Sequence, residues 1–468
     1  MISLTTWKKI LIVSLLSVFV PIASAAQTFK TLIIFDGSNG ATPVNTPLVQ
    51  GRNGNLYGTT LGGGTQSSGT VFEITRAGKL TTLYSFCSQA NCVDGSLPYG
   101  GLVLGRDGDF YGTTSQGGAN GIWGTVFRIT PNGTLTTLHS FSGTDGSGPA
   151  APMILASDGD FYGITQNGGP NNSGTIFKMT PAGILTTLHD FGGTDGFILN
   201  GPLVEGVDGN FYGTTESGGA NGSGTIFQVT PGGSFTTIYS FNSTDGSAPA
   251  CGLLSASDGN LYGTTYEGGS NLKCENGCGT AFKMTTSGTL TTLHNFDSTE
   301  GANPIAALIQ ATDGNFYGTT YGGGTANWGV VFKMTPGGAV TTLHSFQGTD
   351  GAQPYGPVAQ ATSGNLYGTS TNGTGSASQG TIFAITTGFS PFVGFVSNTG
   401  KVGQSVGILG QGFTGTTSVS FNGTPAAFKV KSGTFITATV PAGATSGFVQ
   451  VTTPNKTLTS NVSFQVLP

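Results

Sequence analysis

The sequence predicts an all-β protein: a seven-bladed β-propeller of four-stranded blades, closed by its own N-terminal strand and followed by a small β-sandwich. Three observations predict it. A segment of the form (L/F)-Y-G-(T/I)-(T/S) recurs at Tyr57, Tyr111, Tyr162, Tyr212, Tyr262, Tyr317 and Tyr367, with spacings of 54, 51, 50, 50, 55 and 50 residues, and a period of this size marks a repeat architecture. Each copy alternates strand-forming runs with Gly-containing turns, on a two-residue rather than a helical period. The copies are also offset by one strand. The chain opens on a fourth strand, FKTLIIFDG (29–37), and the repeats end on a third, GTIFAIT (380–386).

Residues 1–25 come first and read as a secretory signal: Lys8 and Lys9, the apolar run 10–22, and the small residues Ala23, Ser24 and Ala25. At 1.5 Å per residue, that run falls short of a hydrocarbon layer roughly 30 Å thick, so cleavage is expected rather than a membrane anchor. No later segment could span a bilayer. Residues 26–387 form the repeats. In the copy around Tyr111, Thr125, Phe127 and Ile129 share one strand face while Val126 and Arg128 take the other. Asp-Gly pairs at 107–108, 158–159, 208–209, 258–259 and 313–314 mark the turn between first and second strands, with Asn53-Gly54 and Ser363-Gly364 in the outer copies. Pro-x-Gly turns such as Pro181-Ala182-Gly183 join the third strand to the fourth.

Phase decides how the units are arranged. In a ring, residues 28–35 complete the blade formed by 356–386 and leave no open edge. A linear stack strands that first segment without a partner.

The F-Y-G-T-T, G-T-V-F-K-M-T and T-T-L-H-S-F pieces resemble the GloVer (Gloeobacter/Verrucomicrobium-type) tandem repeat of exported bacterial proteins across residues 28–386. The resemblance implies a secreted or cell-surface location, extracellular or periplasmic, and brings no defined activity. Residues 388–468 differ in composition. Their V-S-F-N-G-T-P-A and A-T-V-P-A-G pieces are similar to the IPT/TIG immunoglobulin-like domain, which implies an immunoglobulin-like β-sandwich without catalytic residues.

Composition narrows function. Lys and Arg number 16 against 21 Asp and Glu, so the dense cationic footprint of a nucleic-acid binder is missing. In an oxidising compartment Cys87 with Cys92, and Cys274 with Cys278, are disulfide candidates. Cys251 is the odd thiol, free to pair with Cys274 or Cys278. His139, His189, His294 and His344 share a position with Tyr84, Tyr239 and Ile34, which reads as packing rather than metal binding.

Two sets of residues carry the functional expectations. Asp36, Asp94, Asp145, Asp195, Asp245, Glu300 and Asp350 each precede a Gly after the fourth strand. They form either a negative rim able to take Ca²⁺ or a repeated turn device. Trp123, Tyr266, Tyr321 and Trp328, with Tyr99 and Tyr355 in the inter-blade loops, are aromatics suited to stacking on a sugar or anchoring a partner, or else to packing over their own loops. No nucleophile elbow, zinc or phosphate-loop motif is present, and no acidic residue stands out from the repeat. The expected protein is a monomeric, cofactor-free, non-catalytic binding or surface-scaffold protein for a glycan or protein ligand. The alternative is a carbohydrate-active hydrolase or lyase using carboxylates of the acidic face.

Overall fold

The computed structural model describes residues 27–271, 273–373 and 379–468, and the expected signal at 1–25 lies outside them. Among the described residues the chain is almost wholly β, with a single 3-10 turn at Ala90–Cys92. No helix there is long and apolar enough to cross a membrane. Each repeat forms a four-stranded antiparallel sheet. In the third repeat the strands are Ile154–Leu155, Phe161–Thr165, Thr175–Met179 and Leu185–Asp190. The turn between the first two is one hydrogen-bonded unit. Gly159 supplies the positive φ, and the Asp158 carboxylate accepts from the Asp160 amide at 3.0 Å and the Tyr162 hydroxyl at 2.8 Å.

The glycine of F-Y-G serves space rather than φ. Gly163 stands opposite Phe177 on the neighbouring strand, and a Cβ there would come within 2.4 Å of the Phe177 ring. The simple inside-outside alternation expected of these strands is largely erased. Thr175, Ile176, Phe177 and Met179 are all buried and only Lys178 is half-exposed, because successive sheets stack and cover both faces. Tyr162 stacks on Phe211 of the next sheet at 3.9 Å, and Tyr57 on Phe110, Tyr111 on Phe161 and Tyr262 on Phe316 at 4.2 Å. Such pairs contribute about 0.5–1.5 kcal/mol each beyond their burial. Leu261 and Leu366 take the partner's place for Tyr212 and Tyr317, and Leu56 shares a buried cluster with Tyr367.

Thr28–Ile34 lies antiparallel to Thr381–Thr386, in a sheet completed by Leu366–Ser370 and Ala359–Gln360. The first repeat meets the last as other neighbours meet. Gln50 accepts from the Thr362 amide at 2.8 Å, as Gln360 does from Thr312 at 3.0 Å and Gln310 from Ser257 at 2.9 Å. The arrangement is propeller-like, with the variable loops at one end and the Asp-Gly turns at the other.

After the repeats, two further four-stranded sheets enclose one apolar core that includes Val406, Ile408, Val419, Phe421, Ile436, Val451 and Phe464. This unit packs on the Asp-Gly-turn end. Leu409 and Phe435 are buried with Tyr57, Leu104 and Phe110. The Arg52 guanidinium lies 4.7 Å from the Phe435 ring, and Gln411 donates to the Thr362 hydroxyl at 2.9 Å.

Two disulfides, Cys87–Cys92 and Cys274–Cys278, pin short loops. The expected pairing of Cys251 with Cys274 or Cys278 is corrected: those two bond each other, and Cys251 is a buried thiol 2.9 Å from the Thr264 hydroxyl. The short loop between Cys274 and Cys278 brings these two within reach, whereas Cys251, in the loop before Leu254–Ser255, is buried against Thr264 of its own sheet.

Candidate functional site

At the end away from the C-terminal unit, each second strand runs directly into a loop that is held the same way in every repeat. Antiparallel bridges such as Phe197 with Ser217, Ser247 with Glu267 and Ala302 with Gly322 tie this loop to the one arriving from the preceding sheet. The residue after F-Y-G-T-T is thereby fixed in backbone position while its side chain varies. It is Leu61, Ser115, Gln166, Glu216, Tyr266, Tyr321 or Thr371. The expectation that no acidic residue departs from the repeat is therefore corrected. Glu216 does, at a position where no other copy has a carboxylate, and Glu267 follows Tyr266 in the next copy.

Glu216 is half-buried and held by a short relay. The Asn200 amide donates to its carboxylate at 2.6 Å, and the Gln166 amide donates to the Asn200 side-chain oxygen at 2.8 Å. Burial pushes the Glu216 pKa above the ordinary value; Asn200 opposes the shift and Glu267 adds to it. Tyrosines form the surroundings. Burial raises the Tyr99 and Tyr355 hydroxyls, which also act on each other and feel Glu216. Burial likewise raises Tyr266, with Tyr321, Glu267 and Glu216 nearby. Tyr321 meets Tyr355 edge-on at 6.1 Å. Three of the six aromatics singled out in the sequence thus face a carboxylate that was not, and a fourth, Tyr321, packs against them.

The other two lie apart. Trp123 is 37% exposed and rests against Gly143, and Trp328 is 43% exposed and rests against Gly348, each over the loop leaving its own sheet.

The acidic loop residues sit beside the fourth strands and are engaged locally. The histidine six residues earlier bonds Asp145, Asp195 and Asp350 at 2.8 Å, and His294 bonds Glu300 in the same way. Tyr239 and Tyr84 donate to Asp245 and Asp94 at 2.6 and 2.8 Å. Asp36 is corrected as a member of this set. The strand register puts Ile33, not Ile34, at the histidine position and Asn39 six residues on, while Asp36 accepts from Ser38 and Asn39. What His and Tyr share at this position is a donor aimed at the acid, a second role beside packing. Among the described residues no three His, Cys, Asp or Glu side chains are grouped to hold a metal ion.

A cleft of about 580 Å³ at the opposite end lies between Thr312 and Asp313 and the C-terminal Phe392 and Phe448. Burial raises Asp313, but Lys333 and Asn315 outweigh it and hold the carboxyl below its ordinary value. An ion-paired carboxylate of that kind is a poor proton carrier. Burial raises both Asp109 and Glu216, but Asp109 is paired with Arg128 at 3.6 Å, whereas Glu216 forms no ion pair among the described residues.

A family model described as the Gloeobacter/Verrucomicrobia repeat matches residues 17–207 and 198–427. No curated protein matches the chain. Similar solved structures include a candidate gluconolactonase (11% identity, 78% of this chain and 94% of that one, TM-score 0.40). Others are a candidate 6-phosphogluconolactonase from Bacteroides uniformis (15%, 67% and 88%, TM-score 0.45) and a gluconolactonase from Xanthomonas campestris (15%, 56% and 78%, TM-score 0.35). At these identities the likeness is one of fold. The expectation of a non-catalytic scaffold rested on the near identity of the copies and is corrected at that ground, since Glu216 breaks the identity; the descriptions as lactonases are those of the neighbours themselves.

Proposed function

This chain belongs to the Gloeobacter/Verrucomicrobia repeat family, and we propose that it is an exported, sugar-directed hydrolase whose acid-base residue is Glu216. The observation that carries the reading is the half-buried Glu216 carboxyl with a raised pKa, oriented by Asn200 and faced by Tyr99, Tyr266 and Tyr355, with Tyr321 beyond them against Tyr355. In its ionised form Glu216 takes a proton from water as the water oxygen bonds to the lactone carbonyl carbon or the anomeric carbon. The C–O bond to the leaving ring or glycosidic oxygen then breaks, and Glu216 returns the proton to that oxygen. Phenol hydroxyls donate to the oxygen that gains charge, and tyrosine rings stack on the apolar face of a sugar. The substrate class is a sugar, or a sugar lactone, able to accept such stacking.

In this reading the repeats form a seven-bladed propeller closed by Thr28–Ile34, and residues 388–468 are an IPT/TIG-type immunoglobulin-like sandwich bracing the end away from the site. Residues 1–25 direct export, and the two disulfides suit an oxidising compartment. The seven acidic loop residues act as turn locks.

The test is product analysis with the mature chain on a panel of oligosaccharides and sugar lactones. Released product is expected, and Glu216→Gln should lower kcat by about 10²–10⁴-fold, the usual scale of general acid-base catalysis. Absence of release across the panel, or an unimpaired E216Q protein, overturns the proposal.

A further inference from the structure

We propose that Asn45 is a positioning residue: a strut across the ring that fixes the loop carrying Asn200, and through it Glu216, while closing the axis beneath the site. The proposal rests on the reading of Glu216 given above. Asn45 is an insertion. Val49, which starts a first strand, lies eight positions after the bridge residue Ala41, whereas the equivalent start lies seven positions after its bridge residue in every other repeat, as for Ser96 and Val103 or Ser247 and Leu254. The extra residue adopts a left-handed backbone, φ +47°, which Asn tolerates better than most side chains.

Its side chain then reaches past the adjoining sheets. Nδ2 of Asn45 donates to the Ala150 carbonyl at 3.0 Å and to the Asn200 carbonyl at 3.1 Å, so one amide group holds the loops entering the third and fourth sheets. Those bonds use both protons of the amide and satisfy two carbonyls at the centre of the ring. Asn200 is thereby held at its backbone by Asn45 and at its side chain by Gln166, and its one remaining donor group is aimed at Glu216. No other repeat has a residue to place there.

The groups facing Glu216 are Asn200, Glu267, Tyr99, Tyr266 and Tyr355. Loss of the strut frees the Asn200 loop and lets water reach the carboxylate from below, which removes part of the burial that raises it.

Asn45→Gly is the first variant, because glycine keeps the left-handed backbone and removes only the amide. Asn45→Ala is the second. The readout is the titration of the ¹³C-labelled Glu216 carboxyl by NMR, which needs no substrate, with thermal melting as the check on folding. Both variants are expected to melt cooperatively and to show the Glu216 titration moved down by at least half a pH unit, toward the ordinary 4.5. On a substrate that is turned over, kcat falls about tenfold and the pH profile moves with the titration, while KM changes little. An unchanged Glu216 titration in a folded variant overturns the strut. A moved titration in a protein that turns over nothing supports the strut and overturns the hydrolase reading alone.

Discussion

The His-acid pairs beside the fourth strands are where single residues make their clearest stability claim. His344 stacks on Phe29 at 3.5 Å and bonds Asp350 at 2.8 Å. Burial lowers its pKa from 6.5, and Asp350 only partly opposes the shift. A base with a depressed folded pKa is protonated more readily in the unfolded chain, so its contribution is present above 6.5 and is lost as pH falls from there through the folded value. His344→Tyr copies the residue found at Tyr84 and Tyr239, keeps a donor for Asp350 and removes the titration. Its melting temperature should therefore be flatter than the natural protein's below pH 6.5, measured by calorimetry at several pH values. Glu216 makes the matching claim for activity. A base must be ionised to act, so hydrolysis should rise with pH through a value above 4.5, and that limb should be missing in E216Q.

Within one sheet, a few contacts repeat so faithfully that a change in one copy reports on all. Gly163 has no room for a Cβ, because the Phe177 ring would be met at 2.4 Å and is itself enclosed by Phe141 at 5.5 Å. Gly163→Ala should cost about 1–3 kcal/mol, the usual scale of overpacking, read as a lower urea midpoint at constant m. Gly209 offers the contrast. It sits at an Asp-Gly turn with φ +76°, and an added methyl would meet nothing within 4 Å, so Gly209→Ala should cost only the strain of a left-handed backbone, about 1 kcal/mol.

For the whole molecule the decisive contact is between its ends. Thr28–Ile34 covers the edge of Thr381–Thr386, and Phe29 packs against Phe346 and Phe383 at 5.6 and 5.3 Å. Removing residues 27–35 should expose a strand edge and an apolar cluster together. Self-association on size-exclusion chromatography, with loss of a single cooperative melt, is the expected outcome; a monomeric, cooperatively melting truncation would show the ends to be independent. In the proposed reading Asn45 spans the loop end of the ring, and the C-terminal unit covers part of the other end through Leu409 and Phe435, so substrate reaches the site from the loop face. Polymeric substrates should therefore yield terminal units rather than internal fragments on product sizing.

Much of this could be read from the chain alone because it is local. The period, the Asp-Gly turns, the F-Y-G glycines and the strand left over at the start are all written as residue order, and Cys87–Cys92 and Cys274–Cys278 close over loops too short to offer other partners. Tyr99, Tyr266, Tyr321 and Tyr355 could be named as loop aromatics on the same grounds. Glu216 and Asn45 could not, although both leave a mark in the sequence: one is the sole carboxylate at its place in the repeat, the other a single inserted residue. Their meaning depends on which loops meet at the axis. Asn45 touches residues 105 and 155 positions away, and a repeat of nearly equivalent sheets gives no local cue to which of several distant loops will be opposite. Strand chemistry acts between neighbours in sequence and so declares itself there, whereas a proton-carrying site is created by burial and convergence, which exist only once the ring has brought its loops together.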